Sequence, residues 1–488
     1  MACLICLVLS AVLIHSTAAS SLASPPQSAV VVAFEDVYEL SLLANTISDL
    51  GIETTLVIPA NVSNYYEHLV GVDLMTVNAS LKADDSDDLK AVKLCESFIS
   101  DSGIAKHVKS LQPTFIIFPG VRHDACLLPW TASVSSIPVI YARGHNQELY
   151  VFVKTGMALP VHETGLLQSF IENLNLKFYM YSIESNYVSA THKMIQKKLP
   201  NIDNSLANLY SNVQLVLWGA DPILRMNSAL LTQLVAEIGC HHCRGPQPLP
   251  ADLQKELVEF RAGSVVVLLD KDYDVLIRAV AQKLPNDRQG LAVIWKNKHA
   301  KMHNKPNNLF IHKDVDRQDL IGYSRTRVIL AHCTDSEFLE SAFHGSPMIC
   351  FPRNVDELRN ARRASELGFA YVEKIDAMSD AVSESIKEIH ESTQYRENAR
   401  VVSQAIRDRS NHAMDRILYW LGYTARHNGE GKNLLVPKKV STYNEILLSV
   451  AGFLVGVIFT TLLTVVFFIS QNIFESQKKK EKKRYHRK

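Results

Sequence analysis

The sequence has almost no net charge. Its 488 residues include 51 lysines and arginines against 50 aspartates and glutamates, which gives a formal net charge of +1 at pH 7. Proteins that bind nucleic acid or another acidic polymer through a surface field carry a marked basic excess. The balance of charges therefore argues against a nucleic-acid partner.

The sequence also lacks the glycine-rich turn of dinucleotide-binding proteins. No Gly-x-Gly-x-x-Gly follows any of the predicted strands, and that turn is what lets a backbone approach a pyrophosphate closely. We therefore expect no nicotinamide dependence and no bound cofactor.

Cysteines are few and do not have the spacing of a disulfide framework. Two of the eight, Cys3 and Cys6, lie in the first apolar run. Four others stand singly in apolar stretches: Cys95, Cys126, Cys333 and Cys350. This pattern predicts a fold held together by a large core and not by disulfides. The segment 240–243, Cys-His-His-Cys, has the spacing of one zinc-ligand pair, but no second pair follows nearby, so a linker thiol pair is favoured and no metal is expected.

Long uncharged runs are confined to the two ends of the chain. An apolar run over 4–14 is followed by small residues over 16–20, which predicts a signal peptide at 1–19. Residues 446–469 contain no charged side chain. At about 1.5 Å per residue this second run is long enough to cross a hydrocarbon core of roughly 30 Å. It predicts a transmembrane helix over 446–469.

A basic segment follows the predicted span. Residues 478–488 are mostly lysine and arginine, and such a cluster next to a span stays on the cytosolic side of the membrane. We therefore predict a cytosolic tail at 470–488, contact with membrane lipid, and a single-pass type I protein of the endoplasmic reticulum membrane with a lumenal body. Sequons at Asn61 and Asn78 predict glycosylation in that body.

The central part of the chain alternates short apolar runs with helical segments. Runs such as 29–34 and 114–118 are typical of strands buried on both faces. Residues 38–50 carry an apolar stripe at helical spacing, and 89–108 are predicted as one helical stretch. Alternation of this kind predicts a parallel sheet covered by helices.

The alternation of apolar runs and helical segments stops at residues 244–250 and then restarts. Residues 244–250, Arg-Gly-Pro-Gln-Pro-Leu-Pro, can continue neither a helix nor a central strand, so they are predicted as a linker. We therefore predict two doubly wound α/β domains, at 20–243 and 244–425. Ligands of this fold class bind where the carboxyl ends of the strands meet.

One stretch of the second domain carries a motif with regular spacing. Its marked positions are His332, Glu340, Gly345, Pro347, Pro352, Asp356 and Asn360. The motif resembles the signature of the UDP-glycosyltransferases, and similarity extends to 248–254, to 319–322 and to the C-terminal span with its basic tail. The resemblance implies two facing Rossmann-like domains (GT-B), in which the N-terminal domain binds a small lipophilic acceptor and the C-terminal domain binds a UDP-sugar. It also implies transfer of the sugar with inversion, and homo- or hetero-oligomers with family members.

The resemblance assigns the donor site to five residues. His332, after a strand and before a helix start, would carry phosphate charge. Glu340 would accept hydrogen bonds from the two ribose hydroxyls, and Asp356 would hold the donor sugar. Ser336 and Glu357 are placed in the same donor site.

Several family residues are replaced. The tryptophan that stacks on uracil falls at Asp314, and a glutamine three residues later is Arg317. Stacking is worth about 1 to 3 kcal/mol per base, so donor binding should be weak. The glycine pair after His332 is Cys333-Thr334, followed by the acidic Asp335.

The residues that follow His332 can also be explained without a ligand. Thr334 and Glu337 are predicted to form a capping box, which would stabilise the helix without any ligand. The serine-rich loop of the family is replaced by 268–271, Leu-Leu-Asp-Lys.

The catalytic base of the family is also absent. Its histidine, at the start of the first helix, falls at Asp36. A carboxylate with an ordinary pKa of about 4 is a poor base for a hydroxyl. The aspartate that orients the histidine would be Asp124, and His123 is a substitute base; ordinary loop residues are the alternative for both.

Two hypotheses follow. In the first, the chain is a UDP-glycosyltransferase with weakened or altered activity. In the second, it is a non-catalytic family paralogue that binds a lipophilic ligand or partners active transferases.

Overall fold

The computed structural model describes residues 28–62, 69–82, 84–143, 150–152, 154–155, 166–202, 205–224, 235–285, 287–297, 302–427 and 442–485. The predicted signal peptide at 1–19 lies outside the described residues. So do part of the sequon that begins at Asn61 and the last residues of the basic tail.

The N-terminal half forms one parallel sheet of seven described strands. Their order is β3-β2-β1-β4-β5-β6-β7. The bounds are β1 Ser28–Val32, β2 Glu53–Pro59, β3 Val72–Val77, β4 Phe115–Pro119, β5 Ile137–Ala142, β6 Leu215–Trp218 and β7 Val235–Glu237. Every residue of β1 and β4 is buried, as the β-branched runs predicted.

Helices cover both faces of this sheet. Those described are α1 Val37–Asp49, α2 Asp87–Ser100, α3 Ser102–Leu111, α4 Asp124–Ser133, α5 Leu166–Ile183, α6 Ser189–Lys198 and α7 Leu206–Ser211. The stretch predicted as one helix over 89–108 is two, because Asp101 is extended and its carboxylate accepts hydrogen bonds from the N–H groups of Gly103 and Ile104. Asp101 thereby caps a new helix.

The second half forms a parallel sheet of six described strands. Their order is β10-β9-β8-β11-β12-β13. The bounds are β8 Gly263–Val267, β9 Leu291–Lys296, β10 Leu309–His312, β11 Thr326–Ala331, β12 Met348–Cys350 and β13 Ala370–Val372. Its helices are α8 Ala251–Val258, α9 Asp274–Lys283, α10 Arg317–Ile321, α11 Asp335–His344, α12 Val355–Glu366, α13 Ser379–Glu391 and α14 Thr393–Arg407. Two doubly wound domains are thus confirmed.

The last helix of the body returns to the first domain. Helix α15, Ala413–His427, buries Ile417 and Leu421 in the N-terminal core, beside α1, β6 and β7. The predicted second domain, 244–425, therefore ends too late. Its final helix belongs structurally to the first domain, because its apolar face has its partners there.

The predicted linker is packed and not free. Arg244 donates to both carboxylate oxygens of Asp319, at 2.6 and 3.2 Å, and the N–H of Gln247 donates to the same carboxylate. These bonds join 244–250 to helix α10 of the second domain. The sequence predicted that residues 244–250 have no regular structure, but it did not predict that they are bonded to α10.

Six cysteines pair as three disulfides. Cys95–Cys126 joins α2 to α4, Cys333–Cys350 joins the ends of β11 and β12, and Cys240–Cys243 closes a four-residue loop. The prediction of a fold without disulfides was wrong. The first two pairs are 31 and 17 residues apart, and the sheet crossovers that bring them together are not visible in cysteine spacing.

A long helix ends the chain. Helix α16, Thr442–Tyr485, contains a stretch, Val450–Ser476, that can cross a membrane by its length and composition. Its large apolar side chains, such as Leu462 and Phe468, are exposed to solvent in the isolated chain. This helix includes the predicted span, 446–469.

Candidate donor and acceptor sites between the two domains

Helix α11 begins at the carboxyl edge of the C-terminal sheet and points at the N-terminal domain. The capping box predicted there is present: the Glu337 N–H donates to Thr334 Oγ1, and the Thr334 N–H donates to the Glu337 carboxylate. The helix ends at Gly345, whose φ of 70° lies in the left-handed region that glycine adopts without strain. This local chemistry fixes the position of Ser336 and Glu340.

Glu340 is fully buried and fully paired. Arg317 donates from Nε to Glu340 Oε2 and from Nη2 to Glu340 Oε1, both at 2.6 Å. His242 Nε2 lies 3.1 Å from Oε1. Burial alone would raise the pKa of Glu340, but the charge of Arg317 and the hydrogen bond from His242 lower it to about 2. The carboxylate is therefore ionised and has no oxygen free of a cation or an imidazole.

Arg317 is held in place from both domains. It is the first residue of α10, whose N-cap Asp316 accepts the Gln318 N–H. Its guanidinium lies 4.9 Å from the ring centre of Tyr38, a residue of α1 in the other domain. An arginine over an aromatic face gains a cation–π attraction. A ligand hydroxyl that reaches Glu340 must therefore compete with a cation held by Glu340 and by the ring of Tyr38.

The N-terminus of α11 is also in contact with the first domain. Arg143, which follows β5, donates from Nη2 to Ser336 Oγ at 2.7 Å, and its Nε lies 3.7 Å from Asp335 Oδ2. Glu39 of α1 accepts from both Ser336 Oγ and Arg143 Nη1. A carboxylate thus lies where a helix N-terminus would otherwise receive a phosphate.

Glu39 is stabilised as an anion in this position. Burial would raise its pKa, but Arg143 and the Ser336 hydroxyl lower it to about 2. Arg143 itself is almost completely buried. This ion pair lies within the first domain, and both of its side chains contact Ser336 of the second domain at the predicted diphosphate site.

His332 has one occupied and one available ring nitrogen. Nδ1 lies 2.9 Å from the carbonyl oxygen of Phe351, so it carries the proton. Nε2 lies 3.4 Å from Asp270 Oδ2. Asp270 belongs to the loop that replaces the family's serine-rich loop, and its carboxylate puts a negative charge beside His332, where a phosphate would have to approach.

Two carboxylates predicted for the donor site, Asp356 and Glu357, lie in the first turn of α12. Asp356 is half exposed and pairs with Arg359 at 3.2 Å. Glu357 is buried and accepts from Arg353 Nη2 at 2.8 Å. Arg353 also reaches Asp270, at 2.7 Å, so it joins this turn to the loop beside His332.

Asp36 has an unusual backbone and an unusual acidity. Its φ of 50° and ψ of 38° are left-handed, and it is the N-cap of α1 without making a side-chain cap. Its Oδ2 is buried and has no hydrogen-bond partner among the described residues. Burial, together with the charge of Glu39, raises the pKa of Asp36 to about 8. The ordinary value near 4 assumed from the sequence therefore does not apply.

Asp124 and His123 have other partners. Asp124 is buried, and it accepts hydrogen bonds from the Ala125 N–H at 2.6 Å and from the Tyr210 hydroxyl. His123 packs against Phe34 and has Nε2 3.4 Å from Glu35 Oε1. These contacts engage the Asp124 carboxylate with Ala125 and Tyr210 and do not direct it to Asp36.

The structure thus gathers His332, Ser336, Glu340 and Glu357 at one edge of the C-terminal sheet. Sequence reasoning missed the residues that cover them, which are Glu39, Arg143, His242 and Tyr38. Among the residues that contact Glu340, only Arg317 could be singled out from the sequence, because a cation there replaces a polar family residue 23 positions before Glu340.

The comparisons agree on one family. The family model for UDP-glucuronosyl and UDP-glucosyl transferase matches residues 77–484. Human UDP-glucuronosyltransferase 1A6 is 22% identical over 412 residues, which are 82% of this chain and 74% of that protein. Rabbit (Oryctolagus cuniculus) UDP-glucuronosyltransferase 2B13 is 26% identical over 238 residues, 47% of this chain and 44% of the relative. The match thus spans about half the length of the first relatives.

Solved glycosyltransferases share the fold. A UDP-glucosyltransferase from Polygonum tinctorium superimposes with a TM-score of 0.57 at 15% identity, over 82% of this chain and 99% of that one. The calicheamicin glycosyltransferase CalG4 gives the same TM-score, identity and coverage. These likenesses show the two-domain architecture.

Proposed function

We propose, from the premise that this chain belongs to the UDP-glucuronosyl and UDP-glucosyl transferase family, that it transfers a hexosyl group from a UDP-sugar to a small lipophilic acceptor. We further propose that turnover is low, because the donor must displace Arg317 from Glu340. The protein would act from the lumenal side of the endoplasmic reticulum membrane, anchored by helix α16.

The observation that carries this proposal is the placement of His332, Ser336, Glu340 and Glu357. His332, Ser336 and Glu357 lie at the carboxyl edge of the C-terminal sheet, beside the start of α11 or α12, and Glu340 lies farther along α11. Edges of this kind bind ligands in doubly wound folds. A helix N-terminus favours phosphate, and a buried carboxylate in α11 is suited to vicinal hydroxyls.

The proposed reaction is a single displacement. The acceptor oxygen bonds to the anomeric carbon while the bond from that carbon to the diphosphate breaks, so UDP leaves and the configuration inverts. The acceptor proton goes to Asp36. A carboxylate whose pKa is raised to about 8 is better matched to this task than an ordinary one. At pH 7 only a minority of the molecules would hold Asp36 ionised.

The contacts that Glu340 already makes within the protein weaken donor binding. Arg317 and Glu340 form a bidentate charge-assisted pair, which is stronger than hydrogen bonds from neutral hydroxyls. Without the stacking ring that Asp314 replaces, the uracil contributes less. We expect UDP-sugar affinity well below that of a site with tryptophan and glutamine at 314 and 317.

The test is a transfer assay with the full-length protein in detergent. UDP-sugars and a lipophilic phenol are supplied, and product and UDP are measured. Glu340→Ala should abolish transfer, whereas the exposed Glu366→Ala should leave it unchanged. Transfer that is equal in Glu340→Ala and wild type would reject the assigned donor site.

A second candidate function is a non-catalytic family member that binds a lipophilic ligand or partners active transferases. The contact of Glu39 and Arg143 with Ser336 favours it, because the protein's own side chains occupy the diphosphate position. No turnover with any UDP-sugar, together with no thermal shift on adding UDP, would favour this candidate over the first.

A further inference from the structure

The loop between β7 and α8 carries chemistry that sugar transfer does not use. Cys240 and Cys243 form a disulfide there. Their Sγ atoms and a ring nitrogen of His242 all lie within 4.8 Å of one another. A Cys-x-x-Cys pair with a histidine is a donor set suited to zinc and similar soft metals.

His242 has the hydrogen bonding of a metal ligand. Its ring is 2% exposed, and Nε2 lies 3.1 Å from the ionised Glu340. Its Nδ1 is buried and has no hydrogen-bond partner in the described part of the chain. Histidines that bind metals commonly donate the other ring N–H to a carboxylate, which fixes the tautomer and makes the free nitrogen more basic. Glu340 thus leaves Nδ1 as the lone-pair donor.

We propose that reduction converts this loop into a zinc site with three protein ligands, Cys240, Cys243 and His242. A dithiol of the lumen gives two electrons and two protons to the disulfide and itself becomes a disulfide. When Zn²⁺ binds, the two thiols release their protons to solvent and bind as thiolates. The fourth coordination position is open to water. In the oxidised form the two sulfur atoms are bonded to each other, and the site takes no metal.

The site would act on the donor pocket through one shared residue. A metal on Nδ1 holds the His242 ring, and Nε2 then stays on Glu340, where it adds to the pairing with Arg317. The reduced, metal-bound state would therefore oppose ribose binding more strongly than the oxidised state. The metal site itself does not depend on whether the protein transfers sugars.

Cobalt absorption tests the proposal directly. Full-length protein in detergent is divided into oxidised and phosphine-reduced samples, and Co²⁺ is added without oxygen. We expect the reduced wild type to bind one equivalent with thiolate-to-cobalt and tetrahedral d–d bands, which one equivalent of Zn²⁺ removes. The oxidised sample should show neither band.

Variants separate this site from the other reduced cysteines. Cys240→Ser should lose most of the thiolate band, and His242→Gln should weaken zinc binding by at least about ten-fold. The exposed His303→Gln is the matched control and should bind like wild type, with folding of each variant checked by circular dichroism. The proposal fails if reduced wild type takes up no more cobalt than reduced Cys240→Ser.

Discussion

Arg317 and Glu340 form a two-bond ion pair in which both N···O distances are 2.6 Å. Glu340 is the residue that would recognise the ribose of a UDP-sugar, and the arginine takes the place of a neutral family glutamine. The two residues lie in different elements of one domain, α10 and α11. The carboxylate assigned to the proposed donor site is therefore present, but it is held in an internal contact.

Removing the arginine should destabilise the empty protein. In Arg317→Gln the buried Glu340 keeps only His242 as a partner, and an uncompensated buried charge costs about 3 kcal/mol. We expect a loss of that order in the free energy of unfolding, measured by urea unfolding followed through tryptophan fluorescence. The exposed Arg362→Gln is the control and should change stability by less than about 0.5 kcal/mol. An equal effect of the two substitutions would show that the pair contributes nothing.

Restoring the stacking ring should strengthen nucleotide binding. Asp314 is exposed, so Asp314→Trp places an aromatic face where uracil would lie without disturbing the core. Stacking worth about 1 to 3 kcal/mol corresponds to roughly 5- to 150-fold in affinity. UDP binding measured by microscale thermophoresis should improve by this factor. Asp314→Ala removes the charge without adding a ring, and a gain of the same size in that variant would rule out stacking.

The acidity of Asp36 predicts a pH-dependent stability. Its pKa is raised to about 8 in the folded state, whereas an unfolded aspartate titrates near 4. Its neutral form therefore favours folding below about pH 4, and that contribution is lost as the pH rises to about 8. Asp36→Asn should be as stable as wild type at pH 4 and more stable by about 5 kcal/mol at pH 8.5, because the two pKa values differ by about four units and each unit is worth about 1.4 kcal/mol. A constant difference between the two pH values would contradict the raised pKa.

Arg143 and Glu39, two residues of the first domain that both contact Ser336 of the second, should show strong coupling. Arg143→Met leaves Glu39 buried without its cation, and Glu39→Gln leaves Arg143 without its anion, so each alone should cost about 3 kcal/mol. The double variant should cost less than the sum by about 1 to 3 kcal/mol. Urea unfolding of the four proteins gives this coupling energy. Strict additivity would mean that the two side chains act independently.

The fold was largely predictable because its signals are local. The valine-rich β1, the capping box of Thr334 and Glu337, and the glycine end of α11 each follow from a few adjacent residues. Short strands such as β3 and β13 were missed because β3 is partly exposed and β13 has three residues. Helix α15 could not be assigned to the first domain, since its apolar stripe does not say which core it enters.

The positions of these side chains in the fold were predictable, but the residues that contact them were not. The spacing of His332, Ser336 and Glu340 placed them on one strand end and one helix. The residues that fill the site, Arg143 and Glu39, are 193 and 297 positions from Ser336. Their contact depends on how closely the two domains approach, which no local pattern encodes. The pKa of Asp36 likewise depends on burial and on its acidic neighbours.

We expect Arg317 to keep the proposed donor site closed to nucleotide. Isothermal titration of UDP into full-length wild type and Arg317→Gln at the same pH and salt concentration measures this effect. Arg317→Gln should bind UDP at least about ten-fold more tightly, a difference of about 1.4 kcal/mol. Equal or weaker binding by Arg317→Gln would show that the arginine does not compete with the nucleotide.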